Sequence, residues 1–147
     1  MMMKLISHAL FLTVFTLCAA GMTRFDCKVD SVNQSTLKIE VLDFHSTHRC
    51  ATCIAIESNT RYTLDTFFNK ELKEGKITFR IINVDKKENE KIAESYGAYG
   101  TALFLNVIRD GKETRIGLTN FAFLKGNDRE AFSNELKSKV ESELKTL

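Results

Sequence analysis

The chain contains neither proline nor tryptophan among its 147 residues. Without proline, no turn can be fixed by a pyrrolidine ring, and the usual setting of a cis peptide bond is missing. An excess of one charge is also missing, because 21 Lys and Arg residues against 19 Asp and Glu residues leave a net charge of +2. No cluster of basic residues exceeds a pair. The sequence therefore gives no indication of nucleic-acid binding.

Apolar runs long enough to cross a membrane are lacking as well. The longest apolar stretch, Leu5–Leu17, falls short of the roughly 20 residues that a membrane span requires. It follows Lys4 and precedes the small residues Cys18–Gly21, which is the pattern of an export signal. We therefore predict that residues 1–21 are a cleaved signal peptide. An uncleaved signal that anchors the protein in a membrane is the alternative.

The remaining chain divides into a short polar segment and one domain. Residues 22–36 are rich in turn formers and are predicted to be a linker or an irregular N-terminal segment. Residues 37–147 have the length of a single globular domain. Cys50 and Cys53 can pair with each other, so Cys27 is left as an inert thiol or as an intermolecular partner.

Apolar residues recur in this domain with the periods of alternating strands and helices. The helix that begins at Cys50 is predicted to place Phe67 on its inner face, and Asp85 is expected to cap the next helix. A strand–helix–strand unit predicts parallel strands, and Asp110-Gly111 predicts a hairpin that adds an antiparallel strand, so the fold class is α/β. The expected strands are residues 37–44, 77–84, 101–108 and 113–118, and the expected helices are residues 50–72, 87–96 and 128–144.

The run Cys50-Ala51-Thr52-Cys53 stands where the first strand gives way to the first helix. A helix N-terminus carries a partial positive charge and unpaired N–H groups, and both stabilise a thiolate. The position therefore predicts a dithiol/disulfide redox site. Cys50, at the exposed start of the helix, is predicted to be the attacking thiolate, and Cys53, one turn inside, the resolving cysteine. A static disulfide or an inert pair is the alternative.

A dithiol at a strand-to-helix junction, in this order of elements, resembles the thioredoxin superfamily. The resemblance covers Leu37–Leu144 and implies a thioredoxin-like fold, with a central mixed β-sheet flanked by helices. It also implies a thiol–disulfide oxidoreductase whose partners are protein thiols and disulfides and a membrane or periplasmic electron donor, with no cofactor beyond its redox-active disulfide. The segments that carry it, apart from the dithiol, are Val41–Phe44, Ile82–Asp85, Tyr96-Gly97 and Asp110–Lys112.

A narrower resemblance rests on Phe44–Cys53 and Leu118–Phe123. Both segments are similar to small exported bacterial thioredoxin-like proteins labelled as a nitrophenyl compound nitroreductase subunit of an arsenic-operon family. The label implies a role in arsenic resistance or nitro-group reduction, although the sequence shows no flavin or arsenic site beyond the thiols. Export would place the protein in the periplasm or outside the cell, where disulfides persist.

The chain departs from the superfamily at the segment before the third main strand. The family has a proline there, usually cis, whereas this chain has Thr101 and Ala102. We expect a trans bond, because a cis bond before a non-proline residue costs about 2.5–4 kcal/mol. The resemblance implies that this proline shapes the substrate-facing surface and discourages metal binding. Its absence leaves two alternatives open: a dithiol protein that binds a soft metal or arsenite, and a non-catalytic thioredoxin-like module.

Four residues near the dithiol are candidate supporting groups. The resemblance implies that Asp43 is a buried acid that accepts a proton from the resolving cysteine, and a solvated carboxylate at the sheet edge is the alternative. His48 and Arg49 are predicted to stabilise the thiolate. His45, His48 and the two cysteines are also conceivable metal ligands, but all four fall within nine residues. Structural zinc sites usually draw two ligand pairs from separate turns, so a plain surface loop is favoured.

Two aromatic residues, Phe121 and Phe123, alternate after the last predicted strand. Alternating aromatic side chains in such a place belong more often to the core than to a docking surface. We therefore predict core positions, with a docking patch as the alternative.

Overall fold

The computed structural model describes residues 36–145. The predicted signal peptide, Cys27 and nearly all of the predicted linker lie outside the described residues. The elements are β1 (Leu37–His45), α1 (Ala51–Phe67), α2 (Asn69–Lys73), β2 (Ile77–Asn83), a 3-10 turn (Lys87–Asn89), α3 (Glu90–Tyr96), β3 (Ala102–Arg109), β4 (Lys112–Gly117), α4 (Thr119–Lys125) and α5 (Arg129–Lys145).

The four strands form one sheet in the order β2-β1-β3-β4. β1 runs parallel to β2 and antiparallel to β3, and β3 and β4 form an antiparallel hairpin. Asp110 and Gly111 join the hairpin with φ values of 49° and 80°, the left-handed conformation that a two-residue Asp-Gly turn requires. The structure thus confirms the predicted α/β class and the mixed sheet.

Helices cover both faces of the sheet. The side chains of β1 are therefore buried alternately against one face and the other. Ile39 and Val41 belong to the larger core cluster, which includes Ile56 of α1 and Leu136 of α5. Phe44 points to the opposite face of the sheet. There it packs in a smaller cluster with Ala93 of α3 and its neighbours. The order of elements and the two covered faces give the central mixed sheet flanked by helices that the resemblance implied.

The first predicted helix is divided at Phe68. This residue has φ −130° and ψ 25°, which is not helical, and the chain continues as the short helix α2. The turn brings Phe68 into the core at 3% exposure and leaves Phe67 at 40% exposure. The prediction that Phe67 lies on the inner face is therefore wrong. The helix ends at Phe67, and the ring of Phe68 is buried in the core instead.

Helix α4 was not predicted from the sequence. On a helix, residues two positions apart point in nearly opposite directions, so Phe121 and Phe123 cannot share a face. Phe121 is buried, which confirms the core prediction, whereas Phe123 is 45% exposed, which contradicts it.

The expectation that Asp85 caps the second helix is also wrong. Its Oδ2 atom accepts a hydrogen bond from the backbone N–H of Thr47 at 2.6 Å. The following 3-10 turn begins after Lys86 with no hydrogen bond from a capping side chain. Asp85 therefore ties the end of β2 to the loop between β1 and α1.

Two further findings concern the whole described segment. Within residues 36–145 no peptide bond is cis, which confirms the trans bond expected around Thr101 and Ala102. In the same segment no helix has both the length and the apolar character needed to cross a membrane.

Candidate redox site

The dithiol lies at the first turn of α1. Cys50 is the N-cap residue, with an extended backbone at φ −77° and ψ 163°. Its Sγ atom accepts a hydrogen bond from the backbone N–H of Cys53 at 3.1 Å. An N-cap position faces the unpaired N–H groups and the positive end of the helix dipole, so a negative charge on this sulfur is stabilised. The dithiol thus lies at the junction between β1 and α1, as the sequence predicted.

Cys50 and Cys53 are joined by a disulfide, with their Cα atoms 5.1 Å apart. Cys50 is exposed, whereas Cys53 is only 8% exposed. An incoming thiolate therefore has access to Cys50, and the helix shields Cys53. This asymmetry between the two cysteines is what a redox pair with one attacking and one resolving thiol requires.

The loop before Cys50 is fixed by hydrogen bonds to the end of β2. Besides the Asp85–Thr47 bond, the Nδ2 atom of Asn83 donates to Oγ1 of Thr47 at 3.1 Å. The hydrogen bonds from Thr47, together with the nearby charges of His48 and His45, hold the pKa of Asp85 below its usual value. A polar network thus anchors the approach to the dithiol.

His45 and His48 differ in their surroundings. His45 is half-buried and its Nδ1 lies 2.8 Å from the backbone carbonyl of Ser46, whereas His48 is exposed. No group of three or more His, Cys, Asp and Glu side chains within residues 36–145 is arranged to hold a metal ion. A role for His48 at the thiolate, and the less favoured metal role of both histidines, stay predictions.

Asp43 lies on the face of β1 that α1 covers, and its exposure is 0%. Neither carboxyl oxygen has a hydrogen-bond partner among residues 36–145. Burial raises the pKa of Asp43 to about 7; the charge of Arg49 opposes this rise and the charge of Glu57 adds to it. The alternative of a solvated carboxylate at the sheet edge is therefore wrong, because α1 packs over this strand and removes the side chain from water.

The guanidinium of Arg49 reaches inward beneath the dithiol. Its Nη1 atom lies 2.5 Å from Oε2 of Glu57, and its Nη2 atom donates to the backbone carbonyl of Cys53 at 3.1 Å. The same Nη2 atom is 3.8 Å from Oδ2 of Asp43. The structure therefore places the charge of Arg49 against two carboxyl groups and the backbone of Cys53.

Glu57 was missed by the sequence analysis. It follows Cys53 by four residues, which places it on the same side of α1 one turn further along. An acidic residue at that spacing from the resolving cysteine, with an arginine before the dithiol, was the available signal. The pairing depends on how the loop before α1 folds back, which the helical period alone does not specify.

The opposite flank of the dithiol is formed by the turn between α4 and α5. Asn127 donates a hydrogen bond to Oγ1 of Thr52 at 3.3 Å. The buried Asn59 donates to the carbonyl of Gly126 at 2.8 Å and accepts from Nε of Arg129 at 3.1 Å. These contacts hold the turn against α1, and the sequence analysis did not foresee them.

Gly126 is required by this close approach. A Cβ atom at this position would lie 2.7 Å from the carbonyl oxygen of Ala122, 3.0 Å from Cγ1 of Ile56 and 3.1 Å from Cγ2 of Thr52. Distances this short do not occur for Cβ atoms without displacement of the neighbour. The missing side chain therefore lets the turn pack directly on the first turn of α1.

The segment in the place of the family's proline lies at the same end of the sheet. Ala102 pairs with Phe44 near the end of β1, and both Thr101 and Ala102 are half-buried. A Cβ atom on Gly100 would lie 3.8 Å from Oγ of Ser46, so the loop before β3 adjoins the loop that carries the dithiol. The structure thus brings Thr101 and Ala102 to the end of the sheet that carries the dithiol.

Comparisons with known proteins found similarity to solved structures only. No family model matches the sequence, and no curated protein matches it. A solved thioredoxin from Fasciola hepatica is similar, with 22% identity over 72% of this chain and 81% of that chain and a TM-score of 0.44. A structure described as a malarial protein shows 15% identity over 60% of this chain and 94% of that chain, with a TM-score of 0.38.

The described part of the chain has a thioredoxin-like fold that carries a redox-capable thiol pair. Its strand order, its parallel β1–β2 pair and its helices on both faces provide the fold. The Cys50–Cys53 disulfide at the start of α1 provides the thiol pair. The narrower resemblance to a nitroreductase subunit stays a prediction.

Proposed function

We propose that the protein is a thiol–disulfide oxidoreductase that acts outside the cytoplasm through Cys50 and Cys53. The supporting observation is the asymmetry of the pair: an exposed sulfur at the helix N-cap and a buried sulfur one turn below it. A structural disulfide has no need for one accessible sulfur at a position that stabilises a thiolate. An inert pair would likewise gain nothing from a buried acid beside Arg49, whose guanidinium donates a hydrogen bond to the carbonyl of Cys53.

In the oxidising direction a substrate thiolate attacks Sγ of Cys50. The Cys50–Cys53 bond breaks, Cys53 leaves as a thiolate, and a mixed disulfide forms between the substrate and Cys50. A second substrate thiolate then attacks the substrate sulfur and releases Cys50 as a thiolate. Two electrons pass from the substrate to the protein, and the N–H of Cys53 stabilises the released thiolate of Cys50.

In the reducing direction Cys53 resolves the mixed disulfide, and it must first lose its proton. Asp43 is the candidate acceptor, because burial raises the pKa of this carboxyl to about 7. A general base works best when its pKa lies near the working pH. The same carboxyl can return the proton to Cys53 in the opposite direction.

The proposed location outside the cytoplasm is supported by the export pattern of residues 1–21. In such a compartment a reductase needs an electron donor, so a membrane or periplasmic partner belongs to this proposal. Cell fractionation of a bacterium that expresses the full chain tests the location, and recovery of the protein in the cytosol with its N-terminus intact contradicts it.

The chemistry is tested with reduced full-length protein and insulin as a disulfide substrate. Wild type is expected to reduce insulin, Cys50→Ser to lose the activity, and Cys53→Ser to accumulate a mixed disulfide that can be isolated. Cys27→Ser is the matched control and should keep the activity. Insulin reduction that persists in Cys50→Ser defeats the proposal. Arsenite retained through dialysis by wild type, without insulin reduction, favours the binding alternative.

A further inference from the structure

We propose that Glu57 is a positioning residue of the redox site: it anchors Arg49 on α1 and thereby keeps Asp43 free to accept the proton of Cys53. The inference rests on the proposed oxidoreductase function. It adds a residue that touches neither sulfur and acts through the guanidinium of Arg49.

The distances show which carboxylate holds the arginine. A charge-assisted hydrogen bond between a guanidinium and a carboxylate measures about 2.7–2.9 Å. Arg49 meets Glu57 at 2.5 Å, but it is 3.8 Å from Asp43, about one ångström too far for such a bond. Its Nη2 atom is instead bonded to the carbonyl of Cys53. Arg49 is thus held at Glu57 and the helix backbone, and Asp43 stays unbonded beside it.

Glu57 has a charged neighbour on each side. Its Oε2 atom bonds to Arg49, and its Oε1 atom lies 3.6 Å from Nη2 of Arg61, one turn further along α1. The side chains of Arg49 and Glu57 are 18% and 21% exposed, so their attraction is only partly screened by water. The carboxylate of Glu57 therefore holds Arg49 through one short charged contact.

Without this anchor Arg49 would be drawn to Asp43. The two groups are already neighbours, and an unpaired buried carboxylate is a strong attractor for a guanidinium. A positive charge in direct contact lowers the pKa of an aspartate by about one to three units. Asp43 would then be a weaker base and a poorer acceptor for the thiol proton.

Among residues 36–145, the charged groups that act on the pKa of Asp43 come from two elements. Arg49 belongs to the loop before α1, and Glu57 belongs to α1. On the sheet, the register places the apolar residues Ile81 of β2 and Leu103 of β3 opposite Asp43. Burial raises the pKa of this carboxyl, and the balance between Arg49 and Glu57 adjusts it.

The step at issue is the resolution of the mixed disulfide. Cys53 gives its proton to the carboxylate of Asp43, and its sulfur attacks Sγ of Cys50. The Cys50–Cys53 bond forms, the bond between Cys50 and the substrate sulfur breaks, and the substrate leaves as a thiolate. The dithiol is oxidised by two electrons and the substrate disulfide is reduced by two electrons.

The experiment uses dithionitrobenzoate with the reduced full chain in a Cys18→Ser, Cys27→Ser background. Attack by Cys50 releases a first equivalent of coloured thiolate, and resolution by Cys53 releases a second. The rate of the second phase is recorded as a function of pH. In Glu57→Gln its inflection is expected about one to three pH units lower than in wild type, with a slower plateau at high pH.

Three variants separate positioning from a general structural effect. Arg49→Gln should move the inflection upward, because it removes the positive charge beside Asp43. Glu57→Gln should have a smaller effect in the Arg49→Gln background, since only the direct charge of Glu57 then acts on the pKa of Asp43. Glu94→Gln, which alters an exposed glutamate of α3, is the matched control and should leave the profile unchanged.

A second measurement reads the carboxyl directly. Carboxyl-carbon NMR of the oxidised protein, in which no thiol of the pair titrates, should show the pKa of Asp43 lowered in Glu57→Gln and lowered less in Glu57→Asp. Unchanged titrations in both variants overturn the role of Glu57, while two-phase release in wild type leaves the oxidoreductase proposal standing. Absence of the second phase in wild type defeats the oxidoreductase proposal itself.

Discussion

Replacing Asp43 with asparagine is expected to stabilise the oxidised protein at alkaline pH. Asp43 is fully buried and lacks a hydrogen-bond partner among residues 36–145, so its ionised form is poorly solvated. Asparagine has nearly the same shape as aspartate and carries no charge at alkaline pH. The substitution therefore removes the cost of burying a carboxylate and keeps the packing beneath α1.

The magnitude follows from the change in pKa on folding. Burial raises the pKa of Asp43 from 3.8 to about 7. One pKa unit corresponds to about 1.4 kcal/mol, so the ionised carboxyl destabilises the folded protein by about 4 kcal/mol. A difference of this size is a large part of the stability of an ordinary domain.

The sign fixes the pH window in which this stability is lost. Below the unfolded pKa of 3.8 both states are protonated and Asp43 adds no pH dependence. Between 3.8 and about 7 the folded state keeps a proton that the unfolded state has released, so the free energy of unfolding falls as pH rises. Above about 7 the folded state is ionised as well and the loss is complete.

Chemical denaturation of the oxidised wild type and Asp43→Asn, at about pH 4 and about pH 8, measures the effect. The difference in unfolding free energy between the two proteins should change by about 4 kcal/mol in favour of the variant on going to the higher pH. Asp65→Asn, an exposed position on α1, is the matched control. A difference that stays constant across this range refutes the reasoning, because the pKa of Asp43 would then not be raised on folding.

Two further predictions concern the turn that flanks the dithiol. Gly126→Ala should destabilise the protein by about 1–3 kcal/mol in thermal or chemical denaturation, since the added methyl group has no room beside α1. Gly117→Ala is its control and should be tolerated, because its new Cβ would meet the ring of Phe104 at an ordinary 3.6 Å. Asn59→Ala should cost about 1–3 kcal/mol in the same assay, because it leaves the buried carbonyl of the turn without its donor. Asn134→Ala, at an exposed position of α5, should change stability little.

Equal stability within either pair of variants would contradict the corresponding prediction. Equal stability of the two glycine variants would mean that the α4–α5 turn moves freely away from α1. Equal stability of the two asparagine variants would mean that water replaces the amide of Asn59 at no cost.

The fold was largely predictable because its signals are local. Strand periods, the Asp110-Gly111 turn and the position of the dithiol each depend on neighbouring residues, and the structure has all three. The error at Phe67 came from extending a helical period across Phe68, where the backbone leaves the helix to bury a ring. Helix α4 was missed because a seven-residue helix shows too few turns for a period to be recognised.

The site was less predictable because its charges meet through tertiary packing. Strand alternation puts Asp43 on the same face of β1 as Val41 but cannot tell a covered face from an edge. The burial of Asp43 follows only once α1 lies across β1. The pairing of Arg49 with Glu57 joins a loop to a helix eight residues apart, which no helical spacing indicates. The sequence therefore identifies the two cysteines, but it does not predict which charged groups meet next to them.

The strand order described above also has a consequence for contacts between copies of the protein. Within residues 36–145 the sheet ends at β4 on one side and β2 on the other. The outer strand β4 carries the exposed charged residues Lys112, Glu113 and Arg115, and charges on such a strand oppose pairing with another chain. The outer strand β2 carries one exposed charged residue, Arg80, next to Ile81, which is 39% exposed. Within residues 36–145, pairing with a second copy is therefore opposed by more charged side chains at β4 than at β2.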